Sequence, residues 1–264
     1  TLGRGASDLS AVALATALKA DRCEVYTDVE GVYTADPRLV PEARKIDEIG
    51  FEEMLEMASY GAKMNPRSIE FAMTYNMQIL VASSIANVPG TLIHQGATMG
   101  ETVGEIRNRV RSVLTDKDVA MITLKEAKDC PGVAASIFEP LAAANISIDE
   151  IVQNVGAHGV TDLSFTVKRA EADQALEVAM EVAREMSGVE VSRLSEVSKI
   201  SIVGTVMQDS PGYAAQMFRV LADQGINIEM ITTSDIRITC IVDDSRVGDA
   251  AKALHTVFGL DKPN

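Results

Sequence analysis

The chain has 264 residues, 47% of them hydrophobic, which is length for two or three domains and too much apolar content for a disordered chain. With 24 Lys and Arg against 38 Asp and Glu the net charge is −14, which makes polyanions such as nucleic acid or an anionic membrane poor partners. Three scattered cysteines, Cys23, Cys130 and Cys240, give neither a disulfide framework nor zinc spacing and fit a reducing cytoplasm, while no run nears the roughly 20 apolar residues of a membrane helix.

The chain opens at Thr1, without a signal-peptide pattern, in what reads as a loop. This predicts the later part of a longer protein. A helix is expected over 9–19, with Val12, Ala15 and Leu18 on one stripe and Asp8 as N-cap. CEVYTDV (23–29) reads as a strand and 30–47, with Gly31, Pro37 and Pro41, as a long loop. Helices follow over 51–59 and 68–76, then a buried strand over 77–84. Strands alternating with helices predict an α/β layer on a parallel sheet. Residues 87–104, rich in Gly and Pro, read as a linker.

The second half repeats itself. Asp129, Pro131, Gly132, Ala134, Ala135, Phe138, Leu141, Ala142, Ile146, Ile148 and Ile151 recur 80 positions later, from Asp209 to Ile231, without a gap. So long a period means one small domain used twice rather than a solenoid. Each copy reads as a strand, a Pro-Gly turn, a helix on an i, i+3, i+4 stripe, a strand pair, a second helix and, in the first copy, a last strand. That is a split βαβ arrangement of helices on an antiparallel sheet. The Pro-Gly turn aims helix N–H groups at a spot where a small anion fits. The expected division is 1–95 for the α/β part, 96–116 for the linker, 117–196 for the first repeat unit and 197–264 for the second.

Two stretches carry candidate chemistry. In Thr27-Asp28-Val29-Glu30-Gly31-Val32-Tyr33-Thr34-Ala35-Asp36-Pro37-Arg38 a strand empties into a turn that presents hydroxyls, a ring, carboxylates and an arginine. Tyr33 can pack on a base, Arg38 can fork onto phosphate oxygens, and Asp28 or Asp36 can hold a ribose or a metal-bound water. Each residue alone equally suits a polar loop at the end of a parallel sheet, which is also where open α/β sheets place ligands. Gly3-Arg4-Gly5-Ala6-Ser7-Asp8 leads into the first helix and offers Arg4 to a carboxylate. Lys63, just past a Ser-Tyr-Gly turn, suits either phosphate or solvent. His94, His158 and His255 form no constellation and read as structural or exposed. The twelve methionines read as core filler.

GRGASD, TDVEGVYTADPR, GAKMNPRSIEFA, IDEIVQN and SDIRITCIV resemble the GRGGSD, TDVDGVYTADPR, GAKVLHPRSVEFA, VDMIVQN and SEIKISCVV strings of the aspartate kinase family. The resemblance spans nearly the whole chain. It implies an amino-acid-kinase-like parallel sheet, present in part, followed by two ferredoxin-like βαββαβ ACT domains. It also implies transfer of the ATP γ-phosphoryl group to the β-carboxylate of L-aspartate, with Mg2+ between the phosphates. By the same resemblance Arg4 and Ser7 hold aspartate at the catalytic site, with Asp8 beside them, and Thr27, Asp28, Tyr33, Thr34, Ala35, Asp36, Pro37, Arg38 and Lys63 hold ATP. A lysine or threonine effector is implied at Asp129, Ser147, Ile148, Asp149 and Gln153 in the first unit, and at Tyr213, Ala214, Asn227, Ile228, Ser234 and Asp235 in the second. Pairing of ACT sheets across subunits is implied as well, giving a homo-oligomer or a hetero-oligomer with another kinase subunit.

The chain departs from the family in several places. The N-terminal KFGG segment is absent, GAKMNPRS is one residue short, and GTVM (204–207) and Tyr213 replace a GxGM and a small residue. A non-catalytic regulatory subunit is therefore a second reading. A glutamate 5-kinase-like enzyme, which shares the TDVxG loop, is a third that the paired repeat argues against.

Overall fold

The computed structural model describes residues 6–60, 64–95, 110–186, 188–204, 207 and 211–262. The first part contains α1 (Ala6–Ala17), β1 (Cys23–Thr27), β2 (Glu48–Gly50), α2 (Phe51–Ser59), α3 (Pro66–Tyr75), β3 (Ile79–Ser83) and β4 (Thr91–His94). Helix α1 begins two residues before Asp8, so that carboxylate sits inside the first turn, where the positive end of the helix still favours it. Of the expected stripe only Val12 is fully buried; Leu18 lies past the helix end and is exposed. Helix α3 starts where its capping chemistry places it: the Asn65 side chain accepts the Arg67 N–H at 3.0 Å, Pro66 follows at the first helical position, and Asn76 ends the helix in a left-handed conformation.

The sheet runs β1-β3-β4-β2. Its pairs β1·β3 and β2·β4 are parallel, but β3·β4 is antiparallel. The sheet is therefore mixed where the helix–strand alternation predicted a parallel one. Strand β4 falls inside the stretch read as linker. Its Pro-Gly lead-in turns the chain back along β3, and Gly90 is needed there, since a Cβ would come within 2.2 Å of the Val81 carbonyl oxygen. Ile49, Met54, Met57, Ile69, Ile79 and Ile93 form the core under this sheet.

The first repeat unit is contiguous. It comprises β6 (Ala120–Lys128), α4 (Val133–Ala143), β7 (Ile151–Val155), β8 (Val160–Val167), α5 (Ala172–Glu185) and β9 (Glu190–Leu194) in the antiparallel order β7-β8-β6-β9. The second holds β10 (Val197–Gly204), α6 (Tyr213–Asp223), β11 (Met230–Ser234), β12 (Arg237–Asp243) and α7 (Val247–Val257), its sheet running β11-β12-β10 and then a fourth strand. Its fourth strand, β5 (Val110–Asp116), comes from residues read as linker and pairs Asp116 with Lys199 and Val110 with Gly204. The first unit is thus inserted between the edge strand of the second and its remainder. The arrangement covers an edge of β10 that would otherwise be open to pairing with another chain.

Strand β5 also joins the two halves. Val110 and Val113 enter the core of the second unit with Ile200, Ile202 and Leu254, whereas Leu114 packs with Met54 and Ile79 of the first part. Neighbouring residues of one strand point to opposite faces, so β5 serves both cores. Val119 and Met121 of the first unit meet Val197, Met230 and Ile241 of the second in a smaller cluster. The three cysteines are unbridged. Among the described residues no helix is long and apolar enough to cross a membrane.

Candidate nucleotide cleft and effector positions

A cleft of about 630 Å³ opens at the carboxyl ends of the parallel pair β1 and β3. Residues 25–33 and 35–38 line one side, Met54, Met57, Tyr60 and Met64 another, and Val113, Leu114 and Thr115 of β5 the floor, with Asp8 at the edge. The two strand ends are tied together, since Ser84 donates its N–H to the Thr27 carbonyl at 2.8 Å and its hydroxyl at 3.1 Å.

The loop is ordered by its own side chains. Thr27 Oγ1 donates to Asp28 Oδ1 at 3.0 Å, and the Tyr33 hydroxyl donates to Glu30 Oε2 at 3.2 Å. Burial, and then the Glu30 carboxylate, push the Tyr33 phenol up from its usual value. Arg38 closes its fork on Asp36, with Nη2 to Oδ2 at 2.6 Å and Nε to Oδ1 at 3.0 Å. Its side chain is 80% exposed, so a phosphate can take over this pair at little cost. Hydrogen bonding to Asp36 raises the guanidinium pKa further.

Of the predicted ATP residues, Thr27, Asp28, Tyr33, Ala35, Asp36, Pro37 and Arg38 share the cleft. Thr34 does not. It is buried, its Oγ1 is 2.9 Å from Nε2 of His255 on α7, and it accepts the Arg44 N–H at 2.9 Å. Asp8 reaches the cleft and accepts the Asn65 N–H at 3.4 Å, while Ser7 Oγ donates to Asp8 Oδ1 at 3.4 Å. Arg4 and Lys63 lie outside the described residues. Sequence reasoning missed Tyr60 and β5 at the cleft, whereas Met54, Met57 and Met64, read as core filler, are buried in the core and also line it. Soft, polarizable thioethers suit a flat ring, but in sequence they cannot be told from core methionines.

The effector positions are not gathered within one unit. The Asp129 N–H donates to the Gly159 carbonyl, beside the start of β8, whereas the Asp149 N–H donates to the Thr166 carbonyl near its end. Val160 and Thr166 are six positions apart on β8, about 20 Å along a strand. Ser147 and Ile148 accompany Asp149, and Gln153 lies on the exposed strand β7. In the second unit the Tyr213 ring packs against Phe258 with centroids 6.2 Å apart, and Ala214 and Ile228 each pack against the edge of the same core. Asn227 donates to Glu229 at 2.8 Å, and Ser234 pairs with Arg237 at the far end of β11, next to Asp235.

Residues 1–83 match the model of the amino acid kinase family, and 125–182 and 200–258 match that of the ACT domain. The chain is 46% identical to the aspartate kinase of Pseudomonas putida over its whole length, and spans 63% of that relative. It aligns with E. coli aspartokinase III, solved with aspartate and ADP, at a TM-score of 0.78 and 29% identity, over 97% of this chain and 56% of that one. The regulatory subunit of aspartate kinase from Thermus thermophilus matches at 38% identity and a TM-score of 0.54, over 57% of this chain and 99% of its own. An amino-acid-kinase segment with its loop at the cleft, followed by two interlocked ACT units, places this chain in the aspartate kinase family.

Proposed function

We propose that the protein is an aspartate kinase, transferring the γ-phosphoryl group of ATP to the β-carboxylate of L-aspartate under feedback from lysine, threonine or both. The carrying observation is the cleft, where one short loop places Asp28, Tyr33, Asp36 and Arg38 opposite a methionine wall. The wall and Tyr33 take the base, and Arg38 exchanges Asp36 for phosphate oxygens. Lys63 adds charge to the same phosphates, and Thr34 holds the loop down through His255. Asp28 and Asp36 suit a Mg2+ carried in by the phosphates, because that ion keeps most of its water and takes only one or two protein carboxylates. Arg4 and Ser7 hold aspartate, with Asp8 beside them in the first turn of α1. The acceptor carboxylate is already ionised at neutral pH, so alignment and charge neutralisation suffice without a general base.

Feedback operates by an effector that binds one packing of the ACT units better than another. Asp129, Ser147, Ile148, Asp149 and Gln153, with Tyr213, Ala214, Asn227, Ile228, Ser234 and Asp235, contribute to it. Because the two ends of each unit are far apart, pairing of units from two subunits completes the site. The protein works in the cytoplasm as a homo-oligomer or together with another kinase subunit.

The test is to incubate the intact protein with Mg-ATP, aspartate and hydroxylamine. An acyl phosphate is trapped as aspartate hydroxamate, with one ADP formed per hydroxamate. Binding of lysine or threonine without hydroxamate formation would instead favour a non-catalytic regulatory subunit, a reading supported by the likeness to the Thermus regulatory subunit.

A further inference from the structure

Five charged side chains from three parts of the fold converge where the ACT units meet α2. Glu56 comes from α2, Asp149 and Glu150 from the turn before β7, Lys199 from β10 and Arg237 from β12. Arg237 Nη1 donates to Glu150 Oε1 at 3.0 Å, and its Nε lies 3.2 Å from Glu56 Oε2. Thr232 Oγ1 donates to the same Glu150 oxygen at 2.9 Å. Lys199 pairs with Asp149 and stands 3.9 Å from Glu150. Arg237 and Glu150 are each 7% exposed, and Lys199 1%.

Above this cluster lies the ring of Tyr60. The Arg237 guanidinium carbon is 4.0 Å from the ring centroid and Lys199 Nζ is 5.4 Å away. Tyr60 caps α2 through its N–H to Glu56 and Met57 carbonyls, and it also lines the cleft. Burying Arg237, Glu150 and Lys199 is weak ground for stability. A guanidinium supplies a planar fork for carboxylates and a flat face for the ring, and a single ammonium supplies neither.

We propose that Arg237 is a positioning residue for the nucleotide cleft: held by Glu150 of the first ACT unit, it pins Glu56 and the Tyr60 ring, so that the cleft wall follows the packing of the two ACT units. This rests on the nucleotide reading of the cleft. The wall is pre-organised only while Arg237 keeps both carboxylates, and a loosened wall must be ordered again on binding.

The experiment titrates Mg-ATP calorimetrically into the intact protein and into its Glu56→Gln and Arg237→Lys variants, and follows hydrogen exchange in each. Glu56 is 26% exposed at its side chain, so glutamine leaves no buried charge orphaned on α2. Arg237→Lys keeps the charge and loses the fork. Both variants are expected to bind Mg-ATP about fivefold more weakly, with faster exchange in the last turn of α2 and unchanged exchange across β8. Wild-type binding with both variants equal to it overturns the proposal, as does loosening spread evenly over the chain. If the wild type binds no Mg-ATP, the nucleotide reading of the cleft falls. The pinning of Tyr60 is then judged by exchange at 57–60 alone, and unchanged exchange there overturns it.

Discussion

Thr34 Oγ1 and His255 Nε2 lie 2.9 Å apart, 221 residues from each other in the chain. The contact sits within a wider docking of the cleft loop on the second ACT unit. Ala35 and Val40 are buried in that unit's core, the Thr34 carbonyl accepts the Val113 N–H at 2.7 Å, and the Arg44 guanidinium donates to the Lys262 carbonyl. A loop that is long in sequence is thereby tied to the second unit at several points. Helix α7 and β5 hold the back of the segment whose front faces the cleft.

This docking carries a pH dependence. His255 is 1% exposed and, among the described residues, its Nδ1 has no hydrogen-bond partner. Burial lowers its pKa, outweighing the opposite pull of Asp261 and Glu42. In the unfolded chain the ring takes a proton near pH 6.5, as an ordinary histidine does, at about the reference value. As the pH falls below that value the unfolded state binds more protons than the folded one, so stability drops until the folded ring is protonated too. Above it the contribution is constant. Urea midpoints between pH 5 and 8 should therefore fall on the acid side in the wild type. The same slope should be shallower in His255→Gln; equal slopes would rule this group out.

The repeat allows a matched pair of glycine substitutions. Gly132 and Gly212 precede α4 and α6 with φ of 97° and 115°, and an added Cβ at either meets nothing within 4 Å among the described residues. Alanine therefore adds backbone strain but no clash, about 1–2 kcal/mol at each site. Denaturant unfolding of Gly132→Ala and Gly212→Ala should show two losses of similar size. A neutral Gly212→Ala would mean that this helix start relaxes without harm.

Leu114 is buried against the first part of the chain and also lines the cleft. Leu114→Ala should cost about 2–5 kcal/mol, the usual range for a buried leucine. Measured where the variant is still folded, Mg-ATP binding should weaken as well. Lost stability with unchanged affinity would show that β5 serves the fold and not the cleft.

Arg38 should behave in the opposite way. Its partner is the neighbouring Asp36 and its side chain is largely exposed. Arg38→Ala should leave the melting temperature unchanged while weakening Mg-ATP binding about tenfold, the scale of one lost charge-assisted contact. Unchanged affinity would remove Arg38 from the site.

Local chemistry made much of this protein legible before any coordinates. Helix α2 lies over the predicted 51–59, and Gly132 and Gly212 take left-handed conformations at matching helix starts. Seven of the eight residues read as ATP contacts between Thr27 and Arg38 share one cleft, because a short loop leaving a strand keeps its side chains together. The amphipathic stripe of each repeat helix likewise needs no distant partner to be recognised.

Relationships between distant segments were decided by the tertiary structure alone. In β12 the alternation of Ile238, Cys240 and Val242 marks the face turned to the core of the second unit. Nothing in that alternation tells that Arg237, on the other face, meets Glu150 and Glu56 instead of water. Strand β5 reads as linker because its role depends on an edge of β10 more than 80 residues later, and Thr34 reads as a nucleotide contact because His255 is further still. Hydropathy period and turn residues report each segment's own preference. Which buried face a segment meets depends on where the rest of the chain comes to lie, and that information is spread over the whole fold.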